Sequence, residues 1–121
     1  MDLNSLNKQQ KEAVTYTDGP LLVLAGAGSG KTKVLTHRVE YLVNNNIVNQ
    51  ENCLLLTFTN KAAKEMKERM GNLTLGFAGT FHSFSVKVIR TSGKYIGIDG
   101  NFLIYDESDQ KDLIQFQLAN C

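Results

Sequence analysis

Proline occurs once and tryptophan not at all in these 121 residues, which excludes proline-rich and collagen-like architectures. Cysteine is nearly as scarce: Cys53 and Cys121 stand far apart, without the spacing of metal ligands or of a disulfide framework, and read as thiols of a reducing compartment. Neither sign of charge dominates, with thirteen Lys and Arg against twelve Asp and Glu, so no global basic field argues for nucleic acid and any such site must be local. Long hydrophobic runs are missing too. The longest, from Pro20 to Ala25, is far too short to cross a bilayer, and Met1-Asp2-Leu3-Asn4-Ser5 lacks the basic and apolar regions of a secretion signal. A cytoplasmic protein with no membrane segment is expected.

What remains is an ordinary globular composition, 42% hydrophobic and 21% charged, with chain enough for one core. Leu6, Ala13 and Val14 fall at roughly helical spacing, and Asp18-Gly19-Pro20 then turns the chain. Leu21-Leu22-Val23-Leu24-Ala25 is continuously apolar, the pattern of a central parallel strand buried on both faces. Beyond a glycine-rich loop, Val34, Leu35, Val39, Leu42 and Val43 mark a helix that Asn44-Asn45-Asn46 ends. The unit repeats. Cys53 to Phe58 predicts a strand, and Ala62, Ala63, Met66 and Met70 predict a helix stopped by Gly71, with Thr59 and Asn60 as candidate caps. A third unit has Leu73, Leu75 and Phe77 alternating and Gly79-Thr80 turning the chain. Phe81, Phe84 and Val88 then lie on one helical stripe that Gly93 ends. Alternating strands and helices predict an α/β fold with a parallel sheet covered on both faces. From Ser92 the texture changes. Phe102 to Tyr105 has an extended look, and Asp106 with Asp109 resembles an N-cap pair for a helix through Leu113, Ile114 and Leu118. That helix is expected to run into Cys121 without a C-cap or closing strand, as in a piece of a longer protein.

Between the first expected strand and the following helix lies Ala25-Gly26-Ala27-Gly28-Ser29-Gly30-Lys31-Thr32, the setting and the relaxed form of a Walker A phosphate loop. Its glycines let successive N–H groups turn inward on a phosphate, and the helix N-terminus adds further donors and the positive end of its dipole. Lys31 is expected to reach the β- and γ-phosphates of ATP, and the Thr32 hydroxyl to ligate Mg²⁺. Both are the catalytic candidates of this chain.

Around the loop the chain resembles the superfamily 1 DNA helicases of the UvrD, Rep and PcrA type over nearly its whole length. Leu6-Asn7-Lys8-Gln9-Gln10-Lys11-Glu12-Ala13-Val14 is similar to that family's Q motif, which implies that the Gln10 amide reads the adenine edge. Thr57-Phe58-Thr59-Asn60-Lys61-Ala62-Ala63-Lys64-Glu65-Met66 resembles motif Ia, and Gly79-Thr80-Phe81-His82-Ser83-Phe84 resembles motif Ib. The resemblance implies that Phe58, Phe81 and His82 offer flat faces to bases of single-stranded DNA, while Thr59, Asn60 and Thr80 hold phosphates. Taken singly, such aromatics are more often core, and Phe77 and Phe84 are read as core. The Lys61, Lys64 and Lys67 run, with Glu65 and Glu68, is by default a solvated helix face, whereas the resemblance sends Arg69 toward the nucleotide phosphates. Lys33 departs from the family, which often carries there an arginine packed on the adenine.

The implied fold is a P-loop NTPase of the RecA-like type, a three-layer parallel sheet, incomplete here. Residues 1–91 correspond to the N-terminal part of the first motor domain, and 92–121 to the start of the helical 1B insertion. Hydrolysis requires a carboxylate pair at the end of a later strand. Asp106-Glu107 is the only imitation, and the resemblance aligns it with the 1B start. The arginine finger and the second motor domain are missing as well. The parent is therefore expected to be an ATP-driven 3′-to-5′ DNA helicase of repair or replication, acting on single strands and duplex junctions, while this piece binds nucleotide without turning it over. A helicase subunit of a helicase–nuclease and a P-loop small-molecule kinase are the alternatives.

Overall fold

The computed structural model describes residues 2–28 and 30–121. The chain divides into two compact units, Met1–Phe84 and Ser85–Cys121. In the first, a short turn at Leu3–Ser5 leads to α1 (Lys8–Thr15), α2 (Lys31–Asn44), β1 (Leu54–Thr57), α3 (Asn60–Met70) and β2 (Phe77–Thr80). Helix α4 (Phe81–Ser92) follows β2 without a loop and carries the boundary between the units. Helix α5 (Glu107–Ala119) lies in the second unit.

Helix α1 is held on α2 by burial of Ala13 and Val14 and by Arg38, whose guanidinium donates to the carbonyls of Ala13 and Tyr16. Those carbonyls belong to the last turn of α1 and its C-cap, where the helix offers no N–H partner, so one cation closes what the backbone leaves open. Helix α2 ends where the asparagines predict: Asn46 turns left-handed at φ 55°, and the N–H of Ile47 returns to the Leu42 carbonyl at 2.9 Å.

Strands β1 and β2 pair in parallel, with Leu54 opposite Phe77 and Thr57 opposite Thr80. Helix α3 is the crossover between them. Its N-cap Thr59 accepts the Ala62 N–H at 3.1 Å, and its stripe of Ala63, Met66 and Met70 faces the sheet. Leu55, Met66 and Met70 form the buried cluster, with Val39, Leu73, Leu75 and Ala78 packed around it. Met66 is 1% exposed, so Met66→Ala removes a side chain with contacts on every side. We expect a loss of about 2–5 kcal/mol, read as a lower urea midpoint at unchanged slope.

Three expectations are corrected. The apolar residues 21–25 form no strand, and Leu22 and Leu24 are 82% and 89% exposed. An apolar run becomes a strand only if neighbours supply ladder hydrogen bonds, and the sheet of the described residues consists of β1 and β2 alone. Gly79 and Thr80 do not turn the chain; they are the last two residues of β2, both buried. Helix α5 stops at Ala119, capped by Asn120, whose Nδ2 donates to the Phe116 carbonyl at 2.7 Å.

In the second unit, Arg90 lies 4.6 Å from the centre of the Phe102 ring and donates to the Gly100 carbonyl at 3.0 Å, which ties down the segment before α5. Residues 102–105 take no strand pairing. Asp106 and Asp109 do form the expected cap of α5, each accepting the other's N–H. Among the described residues no helix is long and apolar enough to cross a membrane.

Candidate functional site

The glycine loop runs directly into α2. Gly28 and Gly30 hold left-handed backbones at φ 73° and 78°, a conformation that a side chain resists, and Ser29 between them lies outside the described residues. Gly30 is the N-cap of α2 and brings no side chain to cap it. The first N–H groups of that helix therefore meet the loop instead of a capping oxygen, the arrangement that receives an anion. Lys31, at the first helical position, is exposed and lines a cleft of about 520 Å³ together with Gln10, Ala25 and Gly26. Leu35 and Ala13 supply part of its apolar wall. Ala27 sits in the exposed turn, and Thr32 is half-buried in the first turn of α2, its carbonyl accepting the Thr36 hydroxyl at 3.0 Å.

Three residues expected to serve the nucleotide are already engaged. Gln10 Oε1 accepts the Asn7 N–H at 3.0 Å. Lys33 turns its ammonium to the Ser5 carbonyl at 3.0 Å, which fastens the N-terminal turn to α2. Arg69 pairs with Glu65 one helical turn back, at 3.0 Å, with both side chains more than two-fifths exposed. So exposed a pair contributes under about 1 kcal/mol, and little holds the guanidinium there against a better anion.

The carboxyl ends of β1 and β2 form a second surface. Phe58, just past β1, is 88% exposed, and its ring stacks on that of Phe81 with centroids 5.0 Å apart and planes 28° from parallel. His82 is exposed beside them in sequence. Phe77 and Phe84 instead pack on each other at 5.3 Å, half-buried, as core-type residues do. Both threonines are N-caps. Thr59 serves α3, while Thr80 accepts the Ser83 N–H at 3.0 Å and shares a 2.8 Å hydrogen bond with the Ser83 hydroxyl. Asn60 and Thr80 lie on one open cleft of about 510 Å³ that Lys64 and Lys67 also line.

Apart from Arg69 in the last turn of α3, the motif residues thus gather at two places, the N-terminus of α2 and the ends of β1 and β2. The sequence marks Lys64 and Lys67 only as a solvated helix face, and Asn7 and Ser83 only as members of motifs. For Asn7 the signal was present, since Asn with Gln three residues on is a capping-box spacing. Cys53 stands apart from both places; burial first, and then the Glu51 carboxylate, push its thiol up, away from the thiolate form.

Residues 6–120 match the sequence model of the family described as UvrD/REP helicase N-terminal domain. A protein of Staphylococcus aureus named ATP-dependent DNA helicase PcrA is 50% identical over 98% of this chain and 17% of its own length. A Staphylococcus epidermidis protein of the same name is 49% identical over 93% of this chain and 16% of its own length. The chain spans less than a fifth of the curated relatives it matches.

Proposed function

Because this chain belongs to the UvrD/REP helicase N-terminal domain family, we propose that it is the nucleotide-binding N-terminal part of an ATP-driven 3′-to-5′ DNA helicase of repair or replication, working in the cytoplasm on single strands and duplex junctions. The observation that carries this reading is the convergence of Gln10, Gly26 and Lys31 on one cleft at the N-terminus of α2. Phosphates meet the amides of the glycine loop and of α2, Lys31 supplies a point charge to the β- and γ-phosphates, and the Gln10 amide meets the base. Magnesium suits such a site, because it keeps most of its waters and takes oxygen ligands from phosphates. Thr32 is the protein hydroxyl offered to it, and bound there the ion neutralises charge on the transferred phosphoryl group. Among the described residues no group of three or more His, Cys, Asp or Glu forms a separate metal cage.

The fold behind this reading is the RecA-like P-loop core, with residues 1–91 belonging to the first motor domain and 92–121 opening the 1B insertion. Water activation falls outside this chain. Asp106 is occupied as the N-cap of α5, with Oδ1 accepting the Asp109 N–H at 2.8 Å, and does not end a strand. The chain accordingly binds nucleotide without hydrolysing it, and the parent supplies the carboxylates and the second motor domain. Arg69 leaves Glu65 for the nucleotide phosphates when they arrive, and Lys33 keeps the N-terminal turn beside the base.

DNA lies across the ends of β1 and β2. Phe58, Phe81 and His82 offer faces to bases, and Thr59, Asn60 and Thr80 with the α3 and α4 N-termini position the backbone. Translocation follows from different DNA affinities of the ATP-bound and ATP-free states. In the parent protein, Phe58→Ala should weaken binding of labelled oligo-dT about 10- to 100-fold while leaving Mg-ATP affinity unchanged, as expected for one lost stacking platform. A small-molecule kinase should ignore oligo-dT, so a parent protein that does not bind it at all overturns the DNA reading.

A further inference from the structure

The open cleft of about 510 Å³ lined by α3 and β2 takes in more than the motif residues Asn60 and Thr80. Lys64 and Lys67 follow Asn60 at helical spacing, so the three share one face of α3, over about 10 Å of its axis. Both lysines are exposed. Among the described residues the only ion pair is that of Arg69 with Glu65, so neither ammonium is neutralised by a carboxylate in contact. Glu68 is the one acid lining the cleft. Two cations against one anion leave it positive, although the chain as a whole is nearly neutral. Thr80 and Ser83 bring a hydroxyl pair to the same cleft: Thr80 Oγ1 accepts the Ser83 N–H at 3.0 Å and lies 2.8 Å from Ser83 Oγ. One hydroxyl proton bridges the two oxygens, whichever residue donates it, and the other is left for a further acceptor. A spare hydroxyl proton and two unpaired ammonium groups in one cleft suit the phosphates of a nucleic-acid strand, which offer acceptor oxygens at every link.

We propose that this cleft is a phosphate subsite for single-stranded DNA, in which Lys64, Lys67 and the Ser83 hydroxyl hold the backbone as it continues from the Phe58 and Phe81 platform along α3. The proposal rests on the reading of the β1 and β2 ends as the DNA surface and extends it, since Asn60 and Thr80 belong both to that surface and to the cleft. The two parts bind by different physics. Stacking of bases on Phe58 and Phe81 releases no counterion, whereas each ammonium that neutralises a phosphate does. The lysines therefore carry a salt-dependent share of the affinity and the aromatic pair a salt-independent one. Glu68 opposes the lysines by repelling the same phosphates.

The test titrates labelled oligo-dT into the full-length parent without nucleotide at several salt concentrations and plots log K against log salt. Replacing both lysines, Lys64→Gln with Lys67→Gln, should make that slope less steep by about 1.4, or about 0.7 for each lost phosphate contact. Affinity should fall about fivefold per lysine at about 0.1 M salt, and the loss should close toward about 1 M. Both side chains are exposed, so the melting temperature should stay native. Lys64→Arg with Lys67→Arg keeps both charges and should keep the native slope. Glu68→Gln should tighten binding about two- to fivefold at low salt. Ser83→Ala keeps the helix cap, because the capping acceptor is Thr80, and should weaken binding about three- to tenfold at every salt concentration with the slope unchanged. Phe58→Ala should likewise weaken binding without changing the slope. A native slope after both lysines are replaced, with binding weakened in Phe58→Ala, overturns the proposal and leaves Lys64 and Lys67 a solvated helix face. Native binding in Phe58→Ala overturns instead the placing of DNA at the ends of β1 and β2.

Discussion

Lys31→Ala in the full-length parent is expected to reduce single-strand-stimulated ATP turnover about 100- to 1,000-fold, the range found when one preorganised charge or donor on a transition state is deleted. The side chain stands at the first position of α2, exposed, in the cleft shared with Gln10 and Gly26, so its loss removes charge from the anion site without opening a cavity. The melting temperature should therefore not move, and oligo-dT affinity without nucleotide should stay at the native level. Mg-ATP affinity should fall less than turnover, because Lys31 acts most on charge that develops during phosphoryl transfer. Lys31→Arg should rescue little. A guanidinium keeps the charge but is planar and bulkier than the ammonium, so it does not place a compact charge between the β- and γ-phosphates. Phosphate-release assays on the three proteins decide the matter: native turnover in Lys31→Ala would remove the motor reading of this cleft.

Gly76→Ala should be the most damaging methyl group that can be added to this chain. A Cβ on Gly76 would stand 2.2 Å from the Glu51 carbonyl oxygen and 3.1 Å from that of Cys53. Both obstacles are backbone, so no rotamer relieves the clash. The same close approach carries the hydrogen bonds that lead into β2: the Gly76 N–H reaches the Gln50 carbonyl and the Phe77 N–H that of Cys53, each at 3.2 Å. Separating the segments to admit a methyl group breaks both bonds and disturbs the pairing of Leu54 with Phe77 at the start of the sheet. We expect a loss of about 3 kcal/mol, at the upper end of overpacking costs, which removes a large part of the stability of a domain this size. Urea unfolding measures it. A midpoint unchanged from the native protein would mean that the turn at Gln50–Asn52 and the β2 entrance are not held together in solution. Because β2 runs without a loop into Phe81, a surviving fraction of the variant should also bind oligo-dT more weakly.

Much of the local structure was legible because its causes lie within a few residues. The Asp106 and Asp109 pair caps α5, Thr59 caps α3, Asn46 ends α2, and Gly28 and Gly30 take the left-handed backbones of a phosphate loop. The stripe of Ala63, Met66 and Met70 announced a buried helix face by spacing alone. Residues 21–25 show the limit of that reasoning. Their composition is that of a central strand, yet a ladder needs partners, and β1 and β2 pair only with each other. Phenylalanine shows another limit. Phe58 and Phe77 are the same residue type at strand ends, but one is exposed and stacked on Phe81 while the other packs against Phe84. The alternation of Leu73, Leu75 and Phe77 marks the second as core, whereas only the resemblance to the helicase motif marks the first as exposed.

The amino-acid sequence by itself determined where α3 and α5 begin and where α2 ends, where the backbone must turn left-handed, and which loop could receive a phosphate. Those outcomes depend on hydrogen bonds and steric limits between residues close along the chain. The tertiary structure alone decided that residues 21–25 stay out of the sheet, that Gln10 comes to lie against Gly30, and that Lys33 turns to Ser5. Each of these depends on which distant groups arrive to meet a side chain or a backbone amide, and that is a property of the packed chain, not of its local spacing.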